Sequence, residues 1–207
     1  MGRSVTVTGR GHASAAYDEV TLQLAASARA ASPSDATARA TYAMSQMREA
    51  VLSAGVDASA LATTNVSLSP VHDPWPTVVA YEASLALAVK LTDLTRVGSM
   101  LVAAIDAGGD GARVDGISFA HHDPAVLERR ARDGAYAEAR AKAEQYSGLA
   151  GQALGEVRHI VEAEIGGGGM PKRMMAMADS AGGIPVDAGE GTVTSVLTVT
   201  WALGPAV

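Results

Sequence analysis

Apolar positions along this chain follow two periods, and the switches between them mark out its elements. Val5 and Val7 alternate with Thr6 and Thr8 in a short opening strand running to Arg10, and Gly9 and Gly11 predict a turn. Val20, Leu22 and Leu24 alternate with Thr21 and Gln23, which predicts a half-buried strand to about Ala30. Ser32 then stands as an N-cap before Pro33, with Asp35 in the first turn, where unpaired N–H groups favour an acid. Ala40, Met44, Met47 and Val51 recur at helical spacing until Gly55, predicting a helix to about Ala54.

The two periods then repeat. Thr64, Val66 and Leu68 alternate up to Pro70, and the cluster Asp73, Pro74, Trp75, Pro76 forces a loop. Val79 to Leu91 is the strictest period-two run, with Glu82, Ser84 and Lys90 on the polar phase. Thr92 or Asp93 can cap a helix carrying Leu94, Val97, Leu101, Val102 and Ile105, which ends at the turn Gly108–Gly111. Val114, Ile117 and Phe119 form a strand whose phase slips near Gly116, as at a bulge. Asp123 and Pro124 open a long helix to about Ala150, with Leu127, Ala131, Ala135, Ala139, Ala143, Tyr146 and Ala150 on one face. Val157 to Ile165 and Val193 to Leu203 alternate as the closing strands.

Two strand–helix–strand units, at about 17–69 and 78–119, suggest a weak internal duplication. Right-handed crossovers would place their helices on one sheet face. The predicted class is α+β: a two-layer sandwich in which a mixed, mostly antiparallel sheet carries about three helices on one face and leaves the other open. One domain over residues 1–207 is expected, with a flexible Gly/Met-rich insertion at about 166–190, longer than ordinary loops.

Composition narrows the chemistry. Forty-two alanines account for much of the 48% apolar content, and with eight aromatics the core must be thin. A net charge of −6 gives no general attraction to phosphate backbones or anionic lipid, so no nucleic-acid partner is expected. The absence of cysteine removes disulfides, thiolate nucleophiles and cysteine-bound metals. No apolar run is long and uninterrupted enough for an integral membrane segment, and the strand pattern beginning at Val5 leaves no room for a signal peptide. The chain as given is therefore expected in the cytoplasm, with export as the alternative if a leader was trimmed.

Candidate chemistry is sparse. His121, His122 and Asp123 could hold zinc or exchange protons, but neighbouring strand residues point to opposite faces and Asp123 already serves as a cap. His159 lies on the apolar phase of its strand and reads as a core or interface histidine. The Gly166–Gly169 run lacks the Lys-Ser or Lys-Thr of a phosphate loop and reads as a linker. Met170, Met174, Met175 and Met177 surround Lys172 and Arg173, a soft surface that suits partner docking or copper(I). The basic residues of the last helix interleave with acids, and Arg129–Asp133 and Glu138–Lys142 read as i,i+4 pairs on a solvated face. No hydrolase signature is present, so no catalytic residue, cofactor or metal ligand is assigned.

Several strings in order carry a resemblance. Val5, Val7, Gly9 and Gly11 are similar to a V-x-V-x-G-x-G opening strand. Gly55, Val56, Leu61, Thr63, Val66, Leu68 and Pro70 follow, then Tyr81, Glu82, Ala83 with Asp93, Leu94, then Gly116, Ile117, Phe119. The Ala-rich helix ends in Gly151, Leu154, Gly155, Val157. Together, over about residues 4–203, these resemble the SIMPL-domain family, which includes periplasmic, immunogenic bacterial proteins. A Pro-Asp pair usual in that family is replaced here by Tyr17, Asp18, Glu19, and the family's usual signal peptide is missing. The resemblance implies a mixed sheet with packed helices, self-assembly in some members, a link to envelope or oxidative stress, and no catalytic residues to carry over.

The leading expectation is thus a non-enzymatic, homo-oligomeric scaffold whose open sheet face and edges meet other copies, with Met170, Lys172, Arg173, Met174 and Met177 as a docking element for a protein partner. The alternatives are a small-ligand or soft-metal module using that Met-rich segment with His121 or His122, and a hydrolase using Asp or Ser near Trp75.

Overall fold

A computed structural model describes residues 2–163 and 184–206. Its elements run β1 (Ser4–Ala16), β2 (Glu19–Ala30), α1 (Pro33–Ser53), β3 (Leu61–His72), β4 (Val78–Leu91), α2 (Val97–Gly108), β5 (Ala112–Ala120), α3 (Ala125–Leu149), β6 (Gln152–Glu162) and β7 (Glu190–Ala206). The fold is α+β, with helices layered on antiparallel sheet. Two details depart from expectation. The strands divide between two sheets, in the orders β1-β7-β6 and β3-β4-β2-β5, and every hydrogen-bonded strand pair among the described residues is antiparallel. The reason is that each crossover skips a strand. β4 lies between β2 and β3, and β2 lies between β4 and β5, so the strands joined by α1, and those joined by α2, run the same way without pairing, as in a split β-α-β motif.

Where one domain is expected, contacts gather into two compact units. The first comprises, among described residues, 2–16, 123–163 and 189–206. β7 is its central strand, and α3 covers one sheet face. Val7, Leu197, Val199 and Trp201 bury against Ala135, Ala139 and Ala143. Gly9 and Gly11 make no turn: they lie inside β1 under α3. A Cβ on Gly9 would overlap the Ala135 carbonyl oxygen, and one on Gly11 the Ala131 carbonyl oxygen, so glycine is what lets the helix backbone rest on the strand. The alanine stripe is the matching surface. It continues by fours from Leu127 to Ser147, leaving Tyr146 and Ala150 outside the core. On the opposite sheet face, Thr6 meets Thr200 at 2.9 Å, Thr8 meets Thr198 at 3.0 Å and Ser14 meets Thr192 at 2.8 Å, hydroxyl to hydroxyl.

The second unit comprises Tyr17–His122 and residues 184–188. Val20, Leu22, Leu24 and Ala26 of β2 and Leu87 and Val89 of β4 face Met44, Met47 and Val51 of α1 and Val97, Met100, Leu101 and Ala104 of α2. The Ser32 hydroxyl accepts from the Asp35 N–H at 3.1 Å, as its capping role requires. The expected slip near Gly116 is present: Gln23 pairs with Gly116 and Leu24 with Val114, leaving Asp115 as the extra residue. Most of the expected insertion lies outside the described residues, but Val186 packs on this core.

Candidate functional site

The histidine pair diverges, as expected, although both residues lie just past the end of β5 rather than within a strand. His121 turns to Tyr17, their ring centroids 4.9 Å apart, and its Nε2 is buried without a hydrogen-bond partner among the described residues. His122 turns to β2. Its backbone N–H donates to the Asp18 carboxylate at 2.7 Å, and its Nδ1 lies 3.0 Å from Glu19 Oε2. Asp123 accepts from the Ala125 N–H at 3.0 Å, the capping role expected of it. Among the described residues no three His, Asp or Glu side chains converge as a metal shell.

Glu19 is the residue sequence reasoning missed, registered only as a departure from the family's Pro-Asp pair. It is 6% exposed, at the start of β2, with Lys90 Nζ of β4 3.0 Å from its second oxygen. The hydrogen bond from His122, then that from Lys90, holds its carboxyl below the ordinary value despite the opposing effect of burial. With one partner on each oxygen, the carboxylate ties the start of β2 to the end of β4 and to the segment that follows β5. The lone signal in the sequence was an acid opening a half-buried, alternating strand.

The expected salt-laced face of α3 has a second role. Glu138 pairs with Lys142 at 2.9 Å, and Arg140 with Glu144 at 2.9 Å, whereas Arg129–Asp133 is not among the ion pairs of the described residues. Glu138 also accepts the Arg10 backbone N–H, and Lys142 Nζ donates to the Thr8 carbonyl at 2.9 Å. These side chains therefore occupy the free backbone groups along the edge of β1. The Arg10 N–H, then Lys142, lowers the Glu138 pKa. Glu162 is likewise held low by Arg132 at 2.9 Å and by the Ser195 hydroxyl, also at 2.9 Å. His159 is exposed on β6, outside the core where its apolar phase would place it, because β6 is an outer strand that α3 covers only in part.

The largest apolar exposure in the second unit follows the β3–β4 hairpin. Val66 is 67% exposed, Leu68 49% and Trp75 77%, and Val78 and Val79 are also exposed. His72 meets Trp75 in a tilted arrangement, their ring centroids 4.3 Å apart. The docking residues Met170, Lys172, Arg173, Met174 and Met177 lie outside the described residues.

The family described as SIMPL, a protein of unknown function (DUF541), matches residues 5–201. The 26 kDa periplasmic immunogenic protein of Brucella melitensis biotype 1 is 26% identical over 216 aligned residues, covering 96% of this chain and 84% of the relative. The protein of the same name from Brucella abortus matches to the same extent. The matched span holds the Gly9/Gly11 contact with α3, the split β-α-β unit and the exposed hairpin, and the chain belongs to the SIMPL family.

Proposed function

We propose that this protein is a non-enzymatic, homo-oligomeric scaffold of the bacterial periplasm, with a role in envelope or oxidative stress. The observation that carries the assembly reading is the apolar exposure along the β3–β4 hairpin, where Val66, Leu68, Trp75, Val78 and Val79 stand in solvent on one element. A chain with a thin, alanine-rich core gains little by leaving such residues uncovered, and apolar side chains gathered at the surface mark interaction sites. The names of the Brucella relatives favour export over the cytoplasmic expectation. No helix among the described residues is long and apolar enough to cross a membrane.

Light scattering coupled to size exclusion tests the assembly: a mass of two or more chains is expected at tens of micromolar, and a strict monomer would count against the reading. Fractionation of cells that express the protein from its own gene tests the compartment: recovery in the periplasmic fraction is expected, and recovery in the cytoplasm would overturn it.

A further inference from the structure

Exposed sheet edges invite strand addition, and folded proteins close them with charges, irregularities or covering groups. Three of the four edge strands here are closed in this way. Along β1, Glu138 and Lys142 occupy the Arg10 N–H and Thr8 carbonyl. β6 carries Glu156, Arg158 and Glu162 and shifts register between Gln152 and His159. β5 carries Arg113 and Asp115 and is broken by its bulge.

The fourth edge, β3, differs. It has no charged residue from Leu61 to His72, and its register with β4 is regular from Asn65 to Val71. Val66 lies opposite Leu85 and Leu68 opposite Ala83, and both partners pack against Ala36 and Ala40 of α1. Val66 and Leu68 therefore stand on the helix side of the sheet, one strand beyond the cover α1 provides. Asn65, Ser67 and Ser69 fall on the other phase.

We propose that the Asn65–Ser69 edge of β3 pairs antiparallel with the same edge of a second copy, about a two-fold axis normal to the sheet. The proposal rests on the homo-oligomeric reading above and names the surface that serves it. The occupant is argued from charge. A two-fold antiparallel pairing sets each residue near its own counterpart, so any charge near the axis would be repeated against itself. β3 is the one charge-free strand among those described, and its complement is another β3. The joined sheet would place Val66 and Leu68 of both copies side by side between the two α1 helices, covering what one copy leaves open. Pro70, which has no N–H, limits the pairing to the residues before it.

Because the chain has no cysteine, a single introduced thiol reports only on contact between copies. The test uses the full chain carrying Val66→Cys, Ser67→Cys or Leu68→Cys under mild oxidation, and Val66→Lys and Ser67→Lys in light scattering, with circular dichroism as the check on folding. A covalent dimer from at least one thiol is expected. The lysines should raise the dissociation constant about tenfold or more, and Glu156→Lys on the closed β6 edge should leave the mass unchanged. An oligomeric wild type that forms no crosslink from any of the three thiols overturns the β3 pairing and leaves the scaffold reading standing, even where a lysine variant fails to fold. A monomeric wild type overturns both.

Discussion

Two glycines with opposite surroundings show how this chain uses the residue. Gly11 has the Ala131 carbonyl where a Cβ would sit, and both atoms belong to backbone that cannot swing aside. Gly11→Ala should therefore separate β1 from α3 and cost about 3 kcal/mol, read as a lower urea midpoint. Gly148, within α3, has nothing within 4 Å of its Cβ position, so Gly148→Ala should raise stability by about 0.5–1 kcal/mol. Glu19 adds a dependence on pH. Its carboxyl ionises below the ordinary 4.5 in the folded chain, so its contribution is present above that value and is lost as pH falls through the depressed one. Glu19→Gln should cost about 1–2 kcal/mol at neutral pH. The gap between variant and wild type should narrow in urea titrations as the pH is taken below 4.5 and through the depressed value, where Glu19 itself takes up a proton; an unchanged gap would mean the side chain acts through packing alone.

Among the elements, those set by local rules were legible and those set by neighbours were not. Ser32 and Pro33 fixed the start of α1, and Ala40, Met44, Met47 and Val51 are its buried stripe, because capping and helical period act within a few residues. The Gly116 slip was visible because a phase break is local. Gly9 and Gly11 misled, since glycine in a strand reads as a turn until the helix that crosses it, more than a hundred residues later, is in view. The division into two sheets was hidden for a related reason: alternation shows that a strand exists and which face is apolar, but pairing is decided by crossovers. Of the candidate site, the cap at Asp123 was readable from the Asp-Pro pair, whereas the parting of His121 from His122 was expected from strand alternation and occurs just past the end of β5. Glu19 was not, because its partners Lys90 and His122 come from β4 and from the segment that follows β5. The same close fit of α3 on β1 makes the alanine stripe intolerant of bulk. Ala139, fully buried against the sheet, should lose about 1–3 kcal/mol as Ala139→Leu, measured by thermal or urea unfolding.

At the level of the molecule, the second unit is a nearly contiguous excursion. The chain leaves the first unit after Ala16 and rejoins it at Asp123, and the two ends of the excursion are bonded to each other through Asp18 and Ala120. Residues 17–122 alone should therefore fold, and less stably than in the full chain because Val186 is missing from the core; circular dichroism with a cooperative urea transition would show it, and a chain without secondary structure would refute it. The first unit has the reverse character. Its sheet pairs Ser4 with Ala202 and Ala16 with Glu190, so its first strand waits for its last. A growing or threading chain can form the 17–122 part of the second unit while β1 is still unpaired, and only the arrival of residues 190–206 supplies β7. Truncation anywhere before Glu190 leaves β1 and β6 without the strand that joins them. The β1-β7-β6 sheet thus depends on strands from both ends of the 4–206 span, and a fragment ending before Glu190 would present two bare strands to proteases and chaperones.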